Sequence, residues 1–97
     1  MSYRLIFLED TLIDRANIND YLSQFYPGTS RRFFTQLRNA ISRLKEYPRT
    51  GSFYEDNHDF RFLIVGDYLV FYTVDFDNKV IKICRILHGK RNISKLI

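Results

Sequence analysis

Apolar residues follow two rhythms along this chain. Steps of three and four dominate the first half, and short continuous runs dominate the second. Tyr3 to Leu8 is a brief apolar run that predicts a strand, ending at Glu9-Asp10-Thr11. Thr11 followed by Asp14 has the spacing of a capping box and predicts a helix from there to about Phe25. Leu12, Ile13, Ala16, Tyr21, Leu22 and Phe25 mark its expected buried face, with Ile18 near the edge. Pro27-Gly28 breaks that helix, and Thr29 or Ser30 can cap a second. Phe33, Phe34, Leu37, Ala40, Ile41 and Leu44 then recur at helical period, and Pro48 ends the run because Tyr47 before it is pushed out of helical geometry.

Residues 48–59 read as loop. Three strands are predicted after them, Phe60–Val65, Tyr68–Phe76 and Lys79–His88, separated by Gly66-Asp67 and Asp77-Asn78. Connections this short require antiparallel hairpins. The middle strand is apolar on both faces: Leu69, Phe71 and Thr73 on one, Tyr68, Val70, Tyr72 and Val74 on the other. Helices cover one face, and the second needs a cover that another chain can supply. The expected class is α+β.

Composition narrows this only slightly. A chain of 97 residues, 45% hydrophobic and 16% aromatic, is one domain with a ring-rich core and is too apolar for disorder. No run suits a membrane span, the N-terminus has no signal-peptide pattern, and a single cysteine cannot form an internal disulfide. The expected location is the cytoplasm. Cys84, inside a predicted strand, reads as a packed thiol, and one cysteine with two distant histidines, His58 and His88, makes no metal site.

Charge changes the picture more. The net charge is +4, and it is uneven: from Val80 to Ile97 there are Lys82, Arg85, Lys90, Arg91 and Lys95 with no Asp or Glu. An apolar strand thus carries Arg85 and His88 to its end, and Gly89 turns the chain to present Lys90 and Arg91. Concentrated positive charge on a rigid scaffold suits an anionic partner, either nucleic acid or an acidic protein. His88 can serve as general acid or base, or simply bond at a strand end, which is the commoner role. Arg61 can face a partner or pair with Asp59 or Asp67. Tyr68 and Tyr72 can stack on bases, but core packing is the ordinary use of rings in such a chain.

Three segments carry a family resemblance: Leu44-Lys-Glu-Tyr-Pro-Arg-Thr-Gly51, Arg61-Phe-Leu-Ile-Val-Gly-Asp-Tyr-Leu-Val-Phe-Tyr72 and Arg85-Ile-Leu-His-Gly-Lys-Arg91. In this order and spacing they resemble the RelE/ParE superfamily of toxin–antitoxin toxins, over most of the chain. The resemblance implies an N-terminal strand, a two-helix hairpin and a three-stranded antiparallel sheet packed against the helices. It also implies neutralisation by a cognate antitoxin, helical and acidic, lying over the helices and sheet. On that basis Ile13, Ala16, Arg31, Arg32, Phe33, Arg38 and Arg43 are the expected antitoxin contacts.

Two activities occur in the superfamily. RelE-type members cut messenger RNA on the ribosome, which needs proton transfer and cations for a developing phosphorane. Where RelE-type enzymes place a strand arginine, this chain has Leu69, and no tyrosine follows Arg91. The resemblance is therefore nearer to ParE-type toxins, which inhibit DNA gyrase by binding and need no catalytic residue or cofactor. The expected target surface is Arg61, Arg85, His88, Lys90, Arg91 and Lys95. The alternatives are a ribosome-dependent mRNA endonuclease using Arg85, His88 and Arg91, and an inactive binding module.

Overall fold

A computed structural model describes residues 2–96, so Met1 and Ile97 lie outside it. The elements run β1 (Arg4–Phe7), α1 (Glu9–Leu22), α2 (Thr29–Leu44), β2 (Ser52–Tyr54), β3 (Asn57–Val65), β4 (Tyr68–Asp75), β5 (Val80–His88) and a 3₁₀ turn, Ile93–Lys95. The strands form one sheet in the order β1-β5-β4-β3-β2, with β1 parallel to β5 and the other pairs antiparallel. The α+β class and the helical hairpin are as expected. The sheet has five strands, not three. β1 docks on the edge of β5, and β2 forms in the stretch read as loop. Its apolar pair, Phe53-Tyr54, is too short to stand out beside Glu55, Asp56 and Asn57.

α2 packs by area. Phe33, Leu37, Ile41 and Leu44 are buried along one stripe against Val65, Tyr68, Val70, Tyr72, Ile81, Ile83 and Ile86. No side chain caps its start: Gly28 occupies the N-cap at φ 87°, and Ser30 Oγ instead donates to Asn19 Oδ1 of α1 at 2.6 Å.

α1 departs most from expectation. It ends at Leu22, and its buried residues are Thr11, Asp14 and Ile18, while Leu12, Ile13, Tyr21 and Phe25 are about half exposed. The sheet edge explains this. β1 pairs with β5 only as far as Phe7↔Ile83, so the rest of that edge of β5 has no strand beside it. α1 runs along it instead. Thr11 does not cap the helix; its hydroxyl donates to the Ile83 carbonyl at 2.8 Å, which also accepts Leu8 N–H at 3.0 Å. Asp14 Oδ2 accepts the Ile86 N–H at 2.9 Å. Polar side chains thus satisfy backbone groups that a further strand would have paired.

The second sheet face is closed from within. Phe71, Leu87 and Ile93 form a small core there with Tyr54, Phe60, Phe62, Leu69 and Leu96 around it. The chain's own C-terminal turn and the β2–β3 hairpin supply the cover that another chain was expected to give. A bulge at Cys84 on β5, where Phe71 faces Arg85 and Tyr72 faces Ile83, lets Ile83 and Ile86 both face the helices while Leu87 joins the small core.

Candidate functional site

Residues 44–51 and the strands beyond them are stapled by hydrogen bonds. Tyr72 is fully buried on β4; its hydroxyl donates to Pro48 O at 2.9 Å and accepts Gly51 N–H at 2.8 Å. Burial pushes this phenol above its ordinary pKa. A Cβ at Gly51 would collide with the Tyr72 hydroxyl and come within 2.7 Å of Phe62 O, so only glycine fits. Arg61 donates to Gly51 O at 3.0 Å and to Arg49 O at 3.4 Å, and its guanidinium lies 4.0 Å from the Phe53 ring centre. Arg61 therefore holds a loop. It pairs across the sheet with Tyr72, four positions or about 13 Å along β4 from Tyr68.

The far end of the sheet holds the other cations. Gly89 N–H donates to Asp67 O at 2.9 Å, tying the end of β5 to the β3–β4 turn, where Gly66 takes φ 59°. His88 packs edge-to-face on Tyr68, with ring centres 5.2 Å apart. Its Nδ1 accepts Lys90 N–H at 3.2 Å, and its carbonyl accepts Arg91 N–H at 3.0 Å. Lys90, Arg91 and Lys95 are exposed.

Arg85 stands apart from them. Its Nε and Nη2 donate to Asp14 Oδ2 and Oδ1 at 2.8 and 2.9 Å, a bidentate pair that raises the arginine pKa further. The acid on the first helix is held by Arg85, and among the described residues no carboxylate pairs with Arg91. So the six expected target residues hold different places: His88 and Arg91 line one cleft with Asp14, which Arg85 holds; Lys90 and Lys95 are exposed after the strand; and Arg61 serves the loop. Arg85 meets the cleft of His88 and Arg91 through Asp14 and does not itself line it.

Beside His88 lies a cleft of about 270 Å³ between α1 and β5. Asn17 and Tyr21 line it together with Tyr68, His88 and Arg91. Sequence reading assigned Tyr21 to the core and did not notice Asn17; their spacing of four places them on one helix face.

A second concavity runs along the helical hairpin. Leu12, Arg15, Ala16, Asn19 and Phe34 line one stretch; Leu5, Phe7, Leu37, Arg38 and Ile41 line the next, with Arg15 shared between them. The Arg15 guanidinium lies 5.9 Å from the Phe7 ring centre and 6.0 Å from that of Phe34. Of the expected antitoxin contacts, Ala16 and Arg38 line this groove, and Ile13, Arg31 and Arg32 are exposed on the helices outside its lining. Arg43 faces a separate hollow with Tyr47 and Ile64. Phe33 is 8% exposed and packs on Phe34 and Tyr68, which makes it core. Arg15 was missed and Phe34 was read as core; the excess of apolar residues on α1 was a usable signal for the groove.

Among the described residues no group of His, Cys, Asp and Glu is arranged to hold a metal ion, and no helix is long and apolar enough to cross a membrane. Burial raises the Cys84 thiol pKa, which favours the inert form.

The family model described as ParE toxin of type II toxin–antitoxin system, parDE, matches residues 5–93. No curated protein matches the chain at a significant level. Among solved structures, the chromosomal ParDE toxin–antitoxin system of P. aeruginosa aligns with a TM-score of 0.74 at 17% identity, covering 92% of this chain and 98% of that one. The intact E. coli RelBE complex aligns at 0.65 and 17%, covering 93% and 100%. The RelBE2 complex of Mycobacterium tuberculosis aligns at 0.64 and 20%, covering 91% and 99%. At these identities the structural likeness establishes a shared fold.

Proposed function

The chain belongs to the ParE toxin family of type II toxin–antitoxin systems, and from that premise we propose that it inhibits DNA gyrase by binding, without catalysis, in the cytoplasm. The observation that carries the reading is the closed second face of the sheet. Leu69, which stands where RelE-type enzymes place an arginine, belongs to the apolar cluster of Phe71, Leu87 and Ile93. An apolar, self-covered face offers no cation for a phosphorane. Arg85 is bound to Asp14 and adds none. The target-facing surface is then His88, Lys90, Arg91 and Lys95, with Arg61 and Arg85 acting behind it as supports.

A cognate antitoxin occupies the groove between the helices. Solved relatives of this fold are toxin–antitoxin complexes, and the groove has an apolar floor between Arg15 and Arg38. That pattern suits an amphipathic acidic segment. The test is direct. Purified protein should block supercoiling by gyrase, or trap it on DNA, and leave messenger RNA intact on translating ribosomes. Cleavage of the message with unimpaired supercoiling would overturn the reading in favour of an endonuclease working from His88 and Arg91.

A further inference from the structure

The cleft between α1 and the end of β5 has a charge state that selects its ligand. Asp14 lies at its base, but Arg85 already neutralises it through two hydrogen bonds. Among the described residues that line it, Arg91 is then the one unmatched full charge. Around it are hydrogen-bond donors. Nδ1 of His88 accepts Lys90 N–H, which leaves Nε2 to donate its hydrogen into the cleft. Burial, with the Tyr21 phenol and Asp67 nearby, keeps the Tyr68 phenol above its ordinary pKa, so it stays an O–H donor. Asn17 adds an amide. Ile18 and Ile86 give apolar walls, which strengthen any charge-assisted bond made between them.

We propose that this cleft receives a single carboxylate, an aspartate or glutamate side chain of the protein target, forked by Arg91 and bonded by the neighbouring donors. The proposal rests on the target-binding reading above and specifies its chemistry: one acid set between α1 and β5, in place of diffuse attraction by the basic tail. A phosphodiester is also monovalent and also fits a guanidinium fork. The surroundings argue against it. A nucleic-acid strand entering here would bring its other phosphates toward Asp67, whose charge reaches Tyr68, and Asp10, whose charge reaches Arg85. One isolated acid meets no such repulsion. The cleft is also separate from the Arg15–Arg38 groove assigned to the antitoxin, because the two are lined by different residues of α1.

The test titrates the full chain with N-acetyl-aspartate N-methylamide, with dimethyl phosphate and with a thymidine hexanucleotide, following the side-chain N–H resonances of His88 and Arg91. The aspartate derivative should shift both and saturate. Arg91→Gln should abolish the shift, Arg91→Lys should weaken binding by about tenfold by losing the fork, and Lys82→Gln, on an exposed position outside the site, should leave it unchanged, all with unaltered melting midpoints. Absence of any shift, or tighter binding of dimethyl phosphate or the oligonucleotide, overturns the proposal. Gyrase inhibition measured on the same samples separates the two readings. Inhibition without carboxylate binding sinks only the cleft, and carboxylate binding without inhibition sinks only the choice of gyrase.

Discussion

α1 and α2 form one hairpin and bury themselves by opposite chemistry. α2 lays Phe33, Leu37, Ile41 and Leu44 on the sheet, and Leu44 is fully buried. α1 presents Thr11 and Asp14 to the sheet edge and keeps Leu12 and Ile13 51% exposed. Apolar area holds whatever packs against it. Directional bonds hold a helix at one address, here the strandless edge of β5. A helix fixed by bonds can leave its apolar residues outward, where another chain can use them. The hairpin thus divides its work: α2 stabilises the sheet, and α1 is positioned by it.

Substitutions should break this contrast in a definite order. Leu44→Ala should cost about 3–4 kcal/mol in urea unfolding, as a deletion at a fully buried site. Asp14→Ala should cost about 2–3 kcal/mol, because Arg85 and the Ile86 N–H both lose their acceptor. Adding Arg85→Leu to Asp14→Leu should recover part of that loss, and strictly additive costs would show that the pair does not act as a unit. Thr11→Val should cost about 1 kcal/mol, since the Ile83 carbonyl keeps its bond from Leu8 N–H.

The exposed side of α1 should behave differently. Leu12→Ser with Ile13→Ser should move stability by no more than about 0.5 kcal/mol, while antitoxin affinity, read by calorimetry, falls at least about tenfold. A large stability loss there would mean that α1 packs like α2 after all. The smallest effect lies at the β4–β5 turn. Asn78 donates side-chain and backbone bonds to Asp75 and lowers its pKa. A lowered carboxylate pKa adds stability above the ordinary aspartate value of about 4, and that contribution disappears as pH falls through the folded value. Asp75→Asn should remove a slight slope from the acid side of the stability–pH curve and lower stability slightly at neutral pH, where the carboxylate's contribution is fully present.

The same contrast explains what could be read from sequence. The stripe of α2, both tight turns and the basic end of β5 depend on residues close in sequence, and each was legible. The buried face of α1 depends on Ile83, Arg85 and Ile86, which lie 71 or 72 positions away. Hydropathy therefore assigned Leu12 and Ile13 to the core and Thr11 to a cap. Ile93 and Leu96 look like a tail until the sheet face they cover is seen. At the site, the nearness of His88, Lys90 and Arg91 followed from a strand end and a glycine turn, whereas Tyr21 and Asn17 come from another element altogether. Arg61 and Arg85 look as free as Arg91 in sequence, because their acceptors, the Gly51 carbonyl and the Asp14 carboxylate, are invisible there.

The Tyr72 staple bears on how such chains are classified. Pro48, Gly51, Arg61 and Tyr72 supply much of the signature by which this sequence is recognised, and all four are occupied in anchoring one loop. A signature made of anchors travels with the scaffold through any change of prey. Two chains can share it in full and poison different machines. Sorting relatives by target would do better to compare the outward positions, Asn17, Tyr21, His88 and Arg91, and to disregard the motif that brought them together.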